Sequence, residues 1–266
     1  ASGCGSKTLI RIGGGNLKSV VVFVFLGISA YMTLRGLFGV WRVTFLDPVA
    51  IELGTGQDIP SLLTTFGLAR DNALLLATAA VGGALLLFSL MKREAWQADV
   101  LIGGIVIGAL CVAGWYLTGH VGYVVEHPRT LEEAFIGTNS GRAESFTFVA
   151  PFAYTLELLM LWSDASRIVT FGIAGTLGVI AGSALYALAS GTFRVESFNQ
   201  PADLTRHIVG AVLMGFGGVT AFGCTIGQGI SGFSTLALGS ILTTAAIITG
   251  AAVTMKIQFW LMMREV

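Results

Sequence analysis

The chain has 266 residues, 54% of them hydrophobic and only 11% charged, against roughly 25% charged in soluble domains. With a mean hydropathy of +0.81 it cannot cover a water-exposed globule of its size. The 15 Lys and Arg balance 15 Asp and Glu, so no basic excess exists to neutralise a nucleic-acid backbone, and nucleic acid is not an expected partner.

The pattern reads as an all-α, polytopic membrane protein. The first segment, 1–19, is rich in glycine and begins Ala-Ser-Gly-Cys-Gly, with no initiator Met, charged n-region or cleavable apolar stretch. As given it carries no secretory signal and reads as the start of an N-terminally truncated chain. Apolar stretches follow at 20–34, 73–91, 100–117, 146–162, 168–189, 208–222 and 241–263, which predicts six or seven spans. The run 37–46 is interrupted by Arg42 and too brief to cross, so it is expected as a partial or interfacial helix. Residues 47–71, with Pro48, Pro60, Gly54 and Gly56, suit a water-exposed loop holding one short helix. Counting positive charges favours a cytoplasmic Lys92-Arg93 turn, with 120–144 on the opposite side, 163–167 inside and 192–206 outside, although the last carries Arg194 and Arg206. Gly172, Gly175, Gly178 and Gly182 recur at three- and four-residue steps, as do Gly103, Gly104 and Gly108, and are expected to let helices approach closely.

Two segments depart from ordinary spanning helices. The first is 1–19; the second, 221–240, reads AFGCTIGQGISGFSTLALGS and shares Ala-x-Gly-Cys at its start and Leu-x-Ser at its end. This points to an internal repeat of the inverted kind, and to one transmembrane domain over 1–266 built from two pseudo-repeats. A helix broken at membrane depth leaves backbone N–H groups that only a cavity or ligand can satisfy. Re-entrant half-helices starting after Cys4 and Cys224 would aim their amides and positive dipole ends at an anion. Each thiol would sit at that mouth, where S–H can donate weakly to a soft sulfur. Gly3, Gly5 and Gly223 flank the thiols, Thr225 follows the second, and Gln228 lies one α-helical turn beyond Cys224.

Other polar residues have an ordinary reading beside a functional one. Ser231 and Ser234 can bond their own helix or a solute. Lys7 and Arg11, four apart, can attract a dianion or anchor a helix end at the headgroups. Asp203, Arg206 and His207 suit an interface, His207 more as a hydrogen-bonding group than as a switch. Lys256 can snorkel or face a polar cavity, and Glu157 can couple protons or make a buried structural bond. Cys111 reads as a packing residue. Three cysteines make no disulfide framework, and no Cys/His cluster has metal-site spacing, so neither metal nor cofactor is expected. No GxxxxGK[ST] loop is present.

GCTIGQGISGFSTLALGS, preceded by His207 and GAVLMGFGGVTAFG, resembles the C-terminal motif of the YeeE/YedE family of thiosulfate and sulfur transporters. SGCGSKTLIRIGGGNL resembles that family's central motif, and ESFTFVAPFAYTLELL, 144–159, is similar to a family segment. The resemblance implies an inner-membrane permease in which Cys4 and Cys224 line a constriction and pass thiosulfate inward by successive S–H to sulfur contacts. It also implies a preceding portion bearing a further cysteine, and a cytoplasmic TusA-like sulfur-carrier protein as partner. The residues alone leave open a membrane thiol enzyme that forms a persulfide or disulfide, and transport of sulfide or a selenium compound.

Overall fold

A computed structural model describes residues 3–51, 53–127, 131–198 and 200–264. It divides into two compact units, Ala1–Ile51 with Gly108–Gly227, and Glu52–Ile107 with Gln228–Val266. In the first, α1 (Gly5–Gly13) turns at residues 14–16 into α2 (Leu17–Arg35), which leads to α3 (Leu37–Trp41) and a π-helical stretch, Arg42–Leu46. The partial helix expected at 37–46 is thus present. In the second unit, α4 (Ile59–Thr65) is the short helix expected in the loop, followed by α5 (Arg70–Leu90). Asp58 caps α4 by accepting from Ser61 N at 3.0 Å and Ser61 Oγ at 2.6 Å. The helix α6 (Ala98–Tyr116) begins in the second unit and ends in the first, where a π-helical stretch, Leu117–Val121, and a minimal antiparallel hairpin of β1 (Tyr123–Val124) and β2 (Ala134–Phe135) follow. The first unit is completed by α7 (Val149–Met160), α8 (Phe171–Ala189) and α9 (Pro201–Thr220), and the second by α10 (Leu238–Arg264).

Among the described residues, five helices are long and apolar enough to cross a bilayer: α2, α5, α6 with its π-helical extension, α8 and α10. α9 has 20 residues, but Asp203, Arg206 and His207 occupy its first two turns. The span expected at 146–162 is corrected. Only Val149–Met160 is helical there, 12 residues or about 18 Å, short of the roughly 30 Å of hydrocarbon. Residues 146–148 run irregularly instead, with Phe146 against Phe171 at 5.2 Å between centroids.

The core of the first unit forms around α2. Ser19, Val22, Phe23, Leu26, Ser29, Ala30 and Thr33 are buried along one side of it. α9 runs beside it in the same direction: Lys18 pairs with Asp203 at 2.6 Å near their starts, and Ser29 Oγ donates to Val212 O at 2.7 Å midway. Gly215 lets this approach happen, since a Cβ there would sit 2.6 Å from Leu26 O. α7 covers another side through Phe23 and Phe152, whose rings lie 4.7 Å apart. No charged residue lies between Lys18 and Arg35, a rise of about 26 Å, and both ends are held by acids.

The glycine expectation holds in part. Gly172 and Gly175 face Pro151 and Phe146, but Gly178, Gly182, Gly103, Gly104 and Gly108 would meet nothing within 4 Å in their own units if given a Cβ. Three- and four-residue spacing defines a helix face without specifying what covers it.

Candidate functional site

Cys4 is the N-cap of α1, in extended conformation (φ −74°, ψ 169°), and its carbonyl accepts from Thr8 N at 3.1 Å and Thr8 Oγ1 at 3.2 Å. The half-helix therefore begins directly after the thiol, as expected, and its first-turn amides precede any intrahelical acceptor. The half-exposed Cys4 Sγ lies 3.1 Å from Ser6 Oγ. Gly5, Thr8, Leu9 and Gly13 are buried, while Gly3 and Lys7 are exposed and Arg11 half-buried. The two residues preceding Gly3 in this segment lie outside the described residues.

The second segment has a similar local start. Phe222, at φ 54°, reverses the chain after α9, buried Gly223 donates its N–H to Gly218 O at 2.8 Å, and exposed Thr225 opens the helix. Cys224 is 8% exposed. Its Sγ accepts from Gly227 N at 3.4 Å and lies 3.9 Å from Thr147 Oγ1. The helix differs from the expected form, because Gly227–Gly232 winds as a π-helix. Such wide turns are uncommon and concentrate at functional places.

The first turn of α7 and the residues just before it meet both segments. A Cβ on Gly5 would lie 3.7 Å from Phe152 Cζ and 3.8 Å from Phe148 Cβ, and one on Gly227 would collide with Thr147 Oγ1. Cys224 belongs to the same buried cluster as Leu9, Phe148, Val149 and Phe152. Thr147 and Phe148 were not singled out by the residue-by-residue reading; their signal was the family-like stretch 144–159.

In the second unit, buried Gln228 accepts from Ser240 Oγ at 2.6 Å. Ser231 is also buried, and its carbonyl accepts from Ser234 Oγ at 2.6 Å. Lys256 is exposed on α10.

Glu157 is 3% exposed and lies in an ion cluster: Arg167 Nη1 at 2.9 Å, Arg35 Nη1 at 3.8 Å, and Tyr31 OH donating at 3.0 Å. Arg35, Arg167, Tyr154 and Asn139 line a cavity of about 360 Å³ beside it. His207 Nδ1 lies 2.8 Å from Asp203 O and 3.0 Å from Asp203 Oδ1, a hydrogen-bonding role within α9. Cys111 is buried, with Ser145 Oγ donating to its carbonyl at 2.9 Å. Among the described residues no His, Cys, Asp and Glu gather in a group able to hold a metal.

Comparison with known proteins follows the same elements. The family described as "Sulphur transport" matches residues 1–253. A protein of Spirochaeta thermophila named thiosulfate transporter TsuA is 27% identical over 259 residues, 94% of this chain and 70% of that protein. Its Escherichia coli namesake is 35% identical over 91 residues, 34% of this chain and 25% of that one. Because the match runs from the first glycine-cysteine segment past the second and through four of the five crossing helices into the last, the chain belongs to the sulphur transport (YeeE/YedE) family of multi-pass membrane proteins.

Proposed function

We propose that this chain is a permease for thiosulfate or a closely related sulfur anion, working in the inner membrane and passing its substrate along Cys4 and Cys224. One observation carries the reading: both thiols stand at the starts of short helices, and Gly5, Cys224 and Gly227 at those starts all meet residues 147–152. At such starts unpaired amides favour negative charge, so the sulfonate-like oxygens take N–H donors while the terminal sulfur takes S–H. Gly3, Gly5 and Gly223 leave room for the approach, and Thr225 and Gln228 are the polar residues of the second start. Ser231 is a weaker candidate for the same work.

The order thiol, short helix, three-residue break and long helix occurs at 4–35 and again at 224–264, which supports two pseudo-repeats. A TusA-like carrier on the cytoplasmic side would accept the delivered sulfur anion. The names of the two relatives support thiosulfate over sulfide or selenium compounds.

The test is uptake of radiolabelled thiosulfate by proteoliposomes carrying Cys4→Ser or Cys224→Ser. Serine keeps a donor of similar size but loses the polarizable sulfur. Uptake is expected to fall at least tenfold while the protein still inserts and melts normally. Unchanged uptake in both variants refutes the thiol path, and a stable sulfur adduct on either cysteine by mass spectrometry would instead assign thiol chemistry.

A further inference from the structure

After α8, residues 192–198 fold back as a strap over the turn between α1 and α2. Arg194 N donates to Gly14 O at 3.1 Å, Glu196 N to Gly15 O at 3.3 Å, and Leu17 N to Glu196 O at 2.9 Å. Asn16 caps α2 through Ser19 N and gives its Nδ2 to the Glu196 carboxylate. Gly15 sits at φ +96°, and a Cβ there would lie 2.6 Å from Arg194 O, so the strap and the turn are fitted to each other.

Between strap, α1 and α8 lies a cavity of about 350 Å³ whose lining includes Arg11, Arg194, Ser183, Tyr186, Thr192 and Glu196. Arg11 and Arg194 come from positions 183 residues apart (194 − 11), and neither guanidinium has a hydrogen bond or ion pair among the described residues. Glu196 is the acid in the lining, and Asn16 already donates to it. The cavity therefore holds net positive charge and two unoccupied planar forks, the donor set that recognises oxyanions in bidentate fashion.

The position connects this cavity to the thiol. Cys4, Lys7 and Arg11 follow the i, i+3, i+7 spacing of one helical face, turned away from the buried Gly5, Leu9 and Gly13. Two turns of α1, about 10 Å, separate Arg11 from Cys4.

We propose that Arg11 and Arg194 form a docking site for a small tetrahedral dianion, from which substrate moves past Lys7 to Cys4. The proposal rests on the transport reading for its substrate, but the site reads charge and oxygen atoms, whereas the thiols read sulfur. Sulfate, which lacks the terminal sulfur, therefore binds at this site and competes with thiosulfate uptake. A lipid phosphate offers similar oxygens, so the lipid is a variable of the test.

Sulfate binding is measured by calorimetry on the whole chain in nanodiscs of phosphatidylcholine alone, alongside thiosulfate uptake. Saturable sulfate binding is expected in the wild type and in the Cys4→Ser, Cys224→Ser double variant. Arg11→Gln and Arg194→Gln should each weaken it at least tenfold and raise the KM for thiosulfate similarly at unchanged Vmax. Arg194→Lys, with the charge but no fork, should fall between. The unfolding midpoint should not move, since neither arginine has a protein partner to lose. Undiminished sulfate binding in both Gln variants overturns the proposal; so does an absence of sulfate binding in phosphatidylcholine together with an arginine-dependent retention of phosphatidylglycerol in a second set of nanodiscs that contain it. Sulfate binding that depends on the arginines, together with normal uptake in the cysteine variants, would uphold this site and refute the thiol path.

Discussion

Gly13→Ala tests how closely the first half-helix is seated. A Cβ at Gly13 would lie 2.6 Å from Ile180 O, 2.7 Å from Ala184 N and 2.7 Å from Ser183 Cβ. Two of these are backbone atoms of α8, which cannot swing aside as a long side chain can. Restoring ordinary contact at 3.4 Å requires α1 to move about 0.8 Å from α8. Overpacking of this kind costs about 1–3 kcal/mol. The displaced helix carries Cys4 at its start and Arg11 in its last turn, so uptake should fall along with stability. The control is Gly182→Ala on α8, the same chemical change where nothing lies within 4 Å of the new carbon. There alanine should be neutral or stabilise the helix by up to about 1 kcal/mol. Unfolding midpoints of the detergent-solubilised variants, with uptake measured in parallel, give the comparison. Equal midpoints for the two substitutions would refute the close seating of α1 on α8.

Three further outcomes follow from particular contacts. Glu157→Gln removes the carboxylate that Arg167 and Tyr31 share, and should lower stability by about 2 kcal/mol, the range of a hydrogen bond to a charged group. It should leave the pH profile of uptake in place; a shifted profile would assign Glu157 to proton coupling. Asp58→Ala should cost about 1 kcal/mol of α4 stability through the lost cap, read as faster amide exchange over 59–65. The hydrogen bond from Ser61 holds the Asp58 carboxyl below the usual carboxylate range, so its contribution is full above the unfolded-state value near pH 4 and disappears as pH falls through the lowered one. Gln228→Leu leaves the buried Ser240 hydroxyl without that acceptor, an expected loss of about 1–3 kcal/mol by thermal melting.

The residues by themselves determined the membrane class, the bounds of most long helices and the starts of both short ones. These are local matters: apolar length and the glycine-cysteine breaks act within a few residues of where they are read. The apolar run 146–162 misled because length and hydropathy count residues, whereas Thr147 and Phe148 leave the helical course to meet the Cys224 and Gly5 segments. Only the tertiary structure decided which glycines have neighbours, that Glu157 is enclosed by Tyr31, Arg35 and Arg167, and that Arg194 reaches the cavity of Arg11. Apart from Arg167, which is near Glu157 in sequence, each of these joins residues more than a hundred positions apart or depends on which face of a helix is covered. The docking of helices sets such pairings, and spacing along the chain carries no record of it.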